Sequence, residues 1–169
     1  MKLDPITEFI LTEQDNNIEV KIVNDLRDNP EWNNIEKDLI RLFNLSIKDD
    51  NEYLKKNNMK QRKWGDKEFF ERLKFISVIC FSAFLNNKPV GLVFLLGVGS
   101  QAQIQDLIVD PKFRNKGVAS TLLDTVMKYC KEKKIKQIIL NVWDDNDKAK
   151  NLYKKHGFKS MYVFMKKVL

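Results

Sequence analysis

One segment of the chain restricts its fold more than any other. Residues 102–109 are predicted as a strand, because apolar and polar side chains alternate in its first part, and Pro111 ends the run. Residues 118–130 then repeat apolar side chains at helical spacing, and residues 137–143 form a short, almost wholly apolar strand. A strand, a helix and a second strand in this order predict a parallel pair with a right-handed crossover.

The residues before this unit predict an antiparallel meander. Runs at 77–85 and 90–98 are rich in strand-forming residues, and short turn-forming clusters follow each of them. Residues 97–102 match the pattern G-x-G-x-x-A, which in a dinucleotide site opens a helix. Because a strand follows here, we interpret the match as a hairpin turn.

The remaining segments complete a mixed α/β chain without internal repeats. In chain order they are predicted as a strand at 18–24, a helix from Asn29-Pro30, a polar loop or short helix at 48–65, a helix capped by Asp66, a helix at 147–156 ended by Gly157, and a β-rich tail at 158–169.

Composition limits the class of protein. A chain of 169 residues with 43% apolar residues has room for one domain with a core. The longest apolar stretch, residues 75–85, is too short to span a bilayer, and the acidic N-terminus is unlike a signal peptide. Two cysteines and one histidine supply neither a disulfide framework nor a common zinc site. We therefore expect a soluble, cytoplasmic domain without a metal.

Charge is unevenly distributed. Residues 1–110 hold 15 Lys and Arg against 18 Asp and Glu, whereas residues 111–169 hold 15 against 5. A basic last third favours a polyanionic ligand, such as nucleic acid, a membrane surface or a phosphate-rich cofactor. Lysine-rich, solvated helix faces explain the same excess, and charge alone leaves both interpretations open.

The loop between the strand and the helix has the features of a phosphate site. Arg114-Asn115-Lys116-Gly117-Val118-Ala119-Ser120 leads into the amphipathic helix, whose first N–H groups and positive dipole end favour an anion. Gly117 allows close backbone approach, small Ala119 leaves room, and Arg114 and Lys116 add charge. Farther along, Ala149 and Tyr153 share one helix face, a pattern that a packed tyrosine also explains.

Together these motifs resemble the GNAT superfamily of acyl-CoA-dependent N-acetyltransferases. The resemblance covers about residues 76–169, and the matching residues are Asp106 to Val109, Pro111, Arg114, Gly117, Ala119, Leu122, Leu123, Asn146, Ala149, Leu152, Tyr153, Gly157 and Phe158. It implies a mixed sheet of about six to seven strands with a splayed central parallel pair, flanked by about four helices. Residues 1–169 then form one domain, in which 1–75 face the acceptor and 76–169 bind acetyl-CoA.

The resemblance also implies roles for individual residues. The backbone of Leu107, Ile108 and Val109 would pair with the pantetheine arm, and residues 114–120 would cradle the pyrophosphate. Asn146, Ala149 and Tyr153 would contact the cofactor from the other side of the cleft. The amine would attack the thioester directly, with the Val109 N–H stabilising the oxyanion and Tyr153 protonating the departing thiolate.

The base that takes the amine proton is not evident. Many family members place a Glu on the strand before the phosphate loop, where this chain offers Gln103, Gln105 and Asp106. Relatives that acetylate polyamines carry an acidic pair at the positions of Gln105 and Asp106, so the first of the pair is an amide here. Asp106 is the remaining candidate, although strand alternation puts it opposite Gln105. An acceptor of low pKa, or a base from residues 1–75, serves equally well.

The acceptor is predicted only as a primary amine of a small molecule or a protein. Acidic residues 1–50 favour a cationic amine, and Trp32, Trp64, Phe69 and Phe70 are either pocket-lining or core residues. The alternative function is a non-catalytic coenzyme-A-binding sensor or interaction module. Nucleic-acid binding is disfavoured because the lysines fall mostly on helix faces. The β-rich tail predicts a homodimer formed through an exposed strand edge.

Overall fold

The computed structural model describes residues 17–24, 30, 32–63, 65–75, 77–165 and 167. The elements in chain order are β1 (Glu19–Ile22), α1 (Trp32–Lys56), α2 (Asp66–Lys74), β2 (Val78–Leu85), β3 (Lys88–Val98), β4 (Gln101–Val109), a short 3₁₀ helix (Pro111–Phe113), α3 (Val118–Glu132), β5 (Gln137–Leu140) and α4 (Asp147–Lys155).

The sheet follows the chain in the order β1-β2-β3-β4-β5. The first four strands are antiparallel neighbours, and β5 is parallel to β4 after the α3 crossover. The predicted meander and parallel pair are therefore confirmed, and residues 97–102 form a hairpin turn rather than a dinucleotide motif. Gly157 ends α4 in the left-handed conformation, at φ 82°, as predicted.

The strand count differs from the prediction of six to seven. The described residues contain five strands, and the parallel pair stands at the sheet edge rather than in its centre. The described part of the tail is not a strand, and side chains at 161–165 are 73–88% exposed. A strand needs a hydrogen-bonded neighbour, and no described segment pairs with this part of the tail.

Helices cover both faces of the sheet. On one face, α3 packs with Leu122, Leu123 and Val126 into a core that also receives Tyr153 from α4. On the other, α1 and α2 bury Leu39, Phe43, Phe69 and further apolar residues against β2, β3 and β4. The edge of the sheet that β4 and β5 form therefore lies between the two helical layers.

Two features fix the helices beside that edge. The α1 helix continues to Lys56, where the polar sequence predicted a loop or short helix, because Ile47 and Leu54 continue its buried face. On the other face, a Cβ on Gly91 would lie 3.0 Å from the Ile108 carbonyl oxygen and from Val118 Cγ1. Glycine at this position therefore lets the start of α3 approach β3 and β4 closely.

Candidate functional site

The β4 and β5 strands separate part-way along their length. They pair only from Gln101↔Gln137 to Ile104↔Leu140, so residues 105–109 have no strand partner on that edge among the described residues. The resulting cleft opens beside the end of β4, where the loop to α3 begins. Parallel strands that diverge in this way leave backbone groups available to a ligand.

The amide of Val109 is directed into this cleft. The Asp110 N–H donates to the Val90 carbonyl at 2.9 Å, so Asp110 and Val90 form a hydrogen-bonded pair of the β3–β4 ladder. Antiparallel ladders alternate, so Ile108 pairs toward Leu92, while the N–H groups of Leu107 and Val109 face the open edge. Of the three residues predicted to pair with pantetheine, two thus have the backbone orientation that such pairing needs.

The loop after β4 ends at an open helix N-terminus. Gly117, at φ 83°, is the N-cap of α3 and provides no side-chain hydrogen bond. The Thr121 N–H is bonded to the Gly117 carbonyl at 3.0 Å, which leaves the earlier N–H groups of Val118, Ala119 and Ser120 without an intrahelical acceptor. These donors lie at the positive end of the helix dipole, an arrangement that favours a phosphate group.

The two cations of this loop are differently placed. The Arg114 Nε donates to the Val109 carbonyl at 3.1 Å and its Nη2 lies 3.2 Å from Asp49 on α1, so its guanidinium holds the loop against its neighbours. Lys116 Nζ lies 5.2 Å from the centre of the Phe113 ring and is exposed. Asn115 takes a left-handed φ of 62° in the turn between them. The backbone of this loop, more than its arginine, is presented toward a ligand.

The α4 helix supplies the remaining predicted residues. Asn146 caps it, and its side-chain oxygen accepts the Ala149 N–H at 3.1 Å. Tyr153 packs on the α3 side of the core with its ring 5.8 Å from that of Phe158. Burial raises the pKa of Tyr153 to about 12, so its hydroxyl stays protonated at neutral pH.

A β-bulge interrupts β4 at Asp106. The register passes from Phe94↔Gln105 directly to Leu92↔Ile108, so Asp106 and Leu107 together face Val93. Asp106 has a φ of 49°, and its carboxylate is hydrogen-bonded and ion-paired to Arg72 of α2. Arg72 also lies 3.4 Å from the Gln105 amide oxygen, so Gln105 and Asp106 reach the same face. The prediction that strand alternation separates them was wrong because of the bulge.

A chain of polar contacts runs from this bulge across the mouth of the cleft. Arg62 Nη1 lies 3.7 Å from Asp106 and 2.7 Å from Asp50 of α1. Asp50 accepts the Trp143 indole N–H at 2.9 Å, and Trp143 stacks on Tyr53 with ring centres 4.1 Å apart. The α1 helix thereby links β4, through Arg62, to the segment that follows β5.

Sequence reasoning missed the residues of this bridge. They are Asp50, Tyr53, Arg62, Arg72 and Trp143, and Arg41 and Asp49 of α1 were missed as well, since they contact Asp110 and Arg114 beyond β4; each is an ordinary polar or aromatic residue of its own segment. Arg41 Nη1, for example, pairs with Asp110 at 2.6 Å across 69 positions of sequence. Burial of Asp110 opposes its ionisation, but the Lys112 N–H and the Arg41 guanidinium outweigh burial and hold its pKa below the ordinary value.

Other chemically capable groups lie away from the cleft or are inert. Burial raises the pKa of both cysteine thiols, that of Cys130 to about 11, so neither is a reactive thiolate at neutral pH. His156 ends α4, with Nδ1 3.1 Å from Asp124, as expected of a capping residue. A cavity of about 590 Å³ between α1 and the segment leading to α2 includes no residue of β4, β5 or the α3 loop.

Two features of the described residues concern metals and membranes. No group of three or more His, Cys, Asp or Glu side chains there is arranged to hold a metal ion. None of the helices in this part of the chain has the length and apolar character that crossing a membrane requires. Of the predicted pocket aromatics, Trp32 and Phe69 are core residues, and Trp64 lies outside the described residues.

Known proteins resemble this chain in sequence. An uncharacterized N-acetyltransferase of Methanocaldococcus jannaschii is 29% identical over 111 residues, or 62% of this chain and 49% of the relative. A putative ribosomal protein bS18-alanine N-acetyltransferase of Bacillus subtilis is 35% identical over 60 residues, or 36% of this chain and 40% of the relative. The chain thus spans about half or less of the length of these curated relatives.

A solved structure and a family model complete the comparison. The crystal structure of the PaiA N-acetyltransferase of Thermoplasma acidophilum, in complex with coenzyme A, has a TM-score of 0.56 and 22% identity, covering 59% of this chain and 65% of that one. This likeness shows a shared fold. Residues 34–158 match the model of the acetyltransferase (GNAT) family. Since that match covers well over half of its length, the chain belongs to the GNAT family of acetyltransferases.

Proposed function

We propose that this protein is an acetyl-CoA-dependent N-acetyltransferase that acts on a primary amine by direct attack in a ternary complex. The observation that carries the proposal is the divergence of β4 and β5 next to the open N-terminus of α3. The cleft offers backbone groups along β4, and the N–H groups of the first turn of α3, which suit a phosphate, lie at its end. Residues 1–169 act in this proposal as one domain, with the acceptor on the α1–α2 side.

The cofactor would lie along the α3 side of the cleft. Leu107 and Val109 would pair through their backbone with the pantetheine arm, while the side chain of Ile108 packs toward α1 and α2. The pyrophosphate would be held by N–H groups of Val118, Ala119 and Ser120 and by the loop of Arg114, Asn115, Lys116 and Gly117. Asn146, Ala149 and Tyr153 of α4 would line the opposite wall. The basic last third of the chain suits the charge of coenzyme A.

Acetyl-CoA supplies the thioester that the amine attacks. The Val109 N–H would donate to the thioester carbonyl oxygen as negative charge develops there. Tyr153, protonated at neutral pH, would donate its hydroxyl proton to the departing thiolate. Holding both reactants at near-attack distance lowers the barrier by several kcal/mol, up to about 7–11.

The acceptor is a primary amine of a small molecule or of a protein. The Bacillus subtilis relative is named for a ribosomal protein alanine, which supports a protein N-terminus as one candidate. Such an amine must approach from the α1–α2 side, where Asp50, Asp106 and Asp110 are already paired with arginines. This pairing favours an acceptor of low pKa, or proton transfer through water.

The proposal is tested by binding and turnover of the full chain. Calorimetry with acetyl-CoA should give a micromolar-range affinity, and an amine panel of polyamines, aminoglycosides, amino acids and peptide N-termini should release free thiol with at least one member. An absence of acetyl-CoA binding contradicts the site.

The paired carboxylates favour a second candidate, a coenzyme-A-binding sensor or interaction module without catalysis. It predicts binding without thiol release across the whole panel, and no effect of Tyr153→Phe.

Light scattering tests the predicted homodimer, because a monomeric mass would contradict dimerisation through the exposed tail.

A further inference from the structure

The bulge at Asp106 changes which way the rest of β4 faces. Before it, Ala102 and Ile104 pack toward α3. After it, Ile108 packs into the α1–α2 core, while Val109 packs toward α3. Uninterrupted alternation would put even-numbered residues on the α3 face throughout, so the extra residue reverses the facing of everything that follows.

This reversal orients the backbone used in the proposed site. One additional residue between Gln105 and Ile108 shifts the hydrogen-bonding alternation together with the side chains. It thereby determines that Leu107 and Val109, rather than Ile108, direct their N–H groups into the cleft. Without the bulge, the Val109 amide would face β3.

The conformation of Asp106 is one that most residues avoid. Its φ of 49° lies in the left-handed region, which glycine adopts freely and asparagine and aspartate tolerate better than other residues. Its carboxylate is only 9% exposed and contacts Arg72, while Arg62 lies 3.7 Å from the other carboxylate oxygen. Arg72 is itself held over the rings of Phe94 and Phe43, at 5.1 and 5.7 Å.

We propose that Asp106 is a positioning residue and is not the base that deprotonates the amine. Its left-handed backbone conformation forms the bulge that aims the Val109 amide, and the ion pair with Arg72 stabilises that conformation in a residue that is not glycine. The proposal rests on the acetyl-CoA site proposed above. Its carboxylate oxygens face guanidinium groups that α2 and the preceding segment supply, instead of facing the open edge of β4. The role is therefore transmitted through the backbone of β4.

Two substitutions that remove the same carboxylate distinguish the two roles. Asp106→Gly and Asp106→Ala both lose any base, but only Gly adopts a positive φ without strain. A positioning role predicts that Gly keeps acetyl-CoA affinity within about three-fold of the native protein, whereas Ala loses roughly ten-fold. Asp106→Asn, which tolerates the left-handed region, should behave like Gly or better.

A catalytic base predicts the opposite pattern. All three variants would then lose kcat by about 100-fold or more, while acetyl-CoA affinity stayed unchanged. They would also lose the acidic limb of the pH–rate profile, which a positioning residue leaves in place. Equal loss in Gly and Ala, with unchanged cofactor affinity, would overturn the proposal.

A double-mutant cycle tests whether Arg72 of α2 affects acetyl-CoA binding through Asp106. If Arg72 acts through Asp106, Arg72→Met weakens acetyl-CoA binding in the native background and has little further effect in Asp106→Gly. Equal effects in both backgrounds would contradict the link. Thermal unfolding of each variant identifies those that fail to fold.

The facing of β4 can also be measured without any ligand. NOEs from the Ile108 methyl groups to aromatic protons of the α1–α2 core should persist in Asp106→Gly and weaken in Asp106→Ala. Persistence in both variants would overturn the positioning role even if acetyl-CoA did not bind. Failure of the acetyl-CoA site alone would show as absent binding in the native protein with the NOE pattern intact.

Discussion

The cleft between β4 and β5 has two flanks, one on the α3 side and one on the α1–α2 side, and they present different chemical groups. The α3 flank presents backbone N–H groups, of Leu107 and Val109 on β4 and of the first turn of α3. The α1–α2 flank presents side chains, and its charged groups are joined in pairs such as Arg72–Asp106 and Arg62–Asp50. The α3 flank therefore offers hydrogen-bond donors to a ligand, whereas these charged side chains of the α1–α2 flank form ion pairs within the protein.

We infer from this difference that the α3 flank binds the cofactor and that the α1–α2 flank selects the acceptor. Backbone donors at a helix start serve any ligand that carries the same phosphate groups, and their arrangement depends on few side chains. A flank of paired side chains depends on many residues at once, so its shape can change without disturbing the other flank. We therefore expect substitutions on the α3 flank to act on acetyl-CoA and those on the α1 flank to act on fold stability or the acceptor.

The largest effect is expected at Gly117. Its φ of 83° lies in the left-handed region, where a glutamate is strained, and a glutamate there adds a negative charge where phosphate is proposed to bind. Gly117→Glu should weaken acetyl-CoA binding by about 100-fold or more, since each ~1.4 kcal/mol is ten-fold. Calorimetry measures the affinity.

The matched control for Gly117→Glu is Gly97→Glu. Gly97 has open space around an added Cβ, and it is not among the residues with positive φ. The same charge change there should leave affinity within about two-fold, because surface charges this remote are screened. If both glutamates weaken binding equally, the loop of α3 is not the phosphate site.

The next largest effect is expected at Tyr153. Tyr153→Phe should lower kcat by about 10- to 100-fold with little change in acetyl-CoA affinity, because general acid catalysis contributes in the transition state. Its pKa of about 12 predicts no descending limb of the native pH–rate profile between pH 7 and 10 from loss of this proton.

Absorbance titration near 295 nm isolates this phenol. The native protein and Tyr153→Phe should ionise alike up to about pH 10, since a phenol held at a pKa of about 12 adds no signal there. A native protein with one extra tyrosine ionising near pH 10 would contradict the burial. Unchanged kcat in Tyr153→Phe would favour a different proton donor.

A smaller effect is expected from the pair that ties α1 to the end of β4. Arg41→Met removes the cation beside Asp110, whose carboxylate is only 8% exposed, so an unpaired charge remains partly buried. Because Arg41 is 45% exposed, solvent screens the loss, and the free energy of unfolding at pH 7 should fall by about 1–2 kcal/mol. Asp110→Asn is the control, because it removes the carboxylate charge that Arg41→Met leaves unpaired.

The pH dependence gives the sign of this effect. The pKa of Asp110 is lowered from its ordinary value of 3.8, so the stabilisation is present above about pH 4 and is lost as pH falls through the lowered pKa. The difference between the native protein and Arg41→Met should therefore shrink in denaturant titrations below pH 4. A constant difference down to pH 2 would exclude the ion pair as its cause.

The two flanks also differ in how far the sequence predicts them. The strand–loop–helix unit with Gly117 was predictable because its signals are local: alternation, one glycine and helical spacing lie within 30 residues. The bulge at Asp106 was not predicted, because the ion-pair partner of its carboxylate is Arg72, 34 positions away. The Asp50–Trp143 contact spans 93 positions, and neither residue carries a local signal of it.

The smallest effect is expected at the outermost tie of the α1 flank. Lys56 Nζ lies 3.1 Å from Asp145, but the two side chains are 72% and 47% exposed. Exposed pairs contribute about 0–1 kcal/mol, since water and salt screen them, so Lys56→Met should leave acetyl-CoA affinity unchanged and the free energy of unfolding within about 0.5 kcal/mol. Lys48→Met, at the exposed Lys48–Glu52 pair within α1, is the control. If Lys56→Met alone raised the acceptor KM several-fold, the tie would be positioning the segment after β5, and the α1 flank would select acceptors through its surface contacts as well as its buried ones.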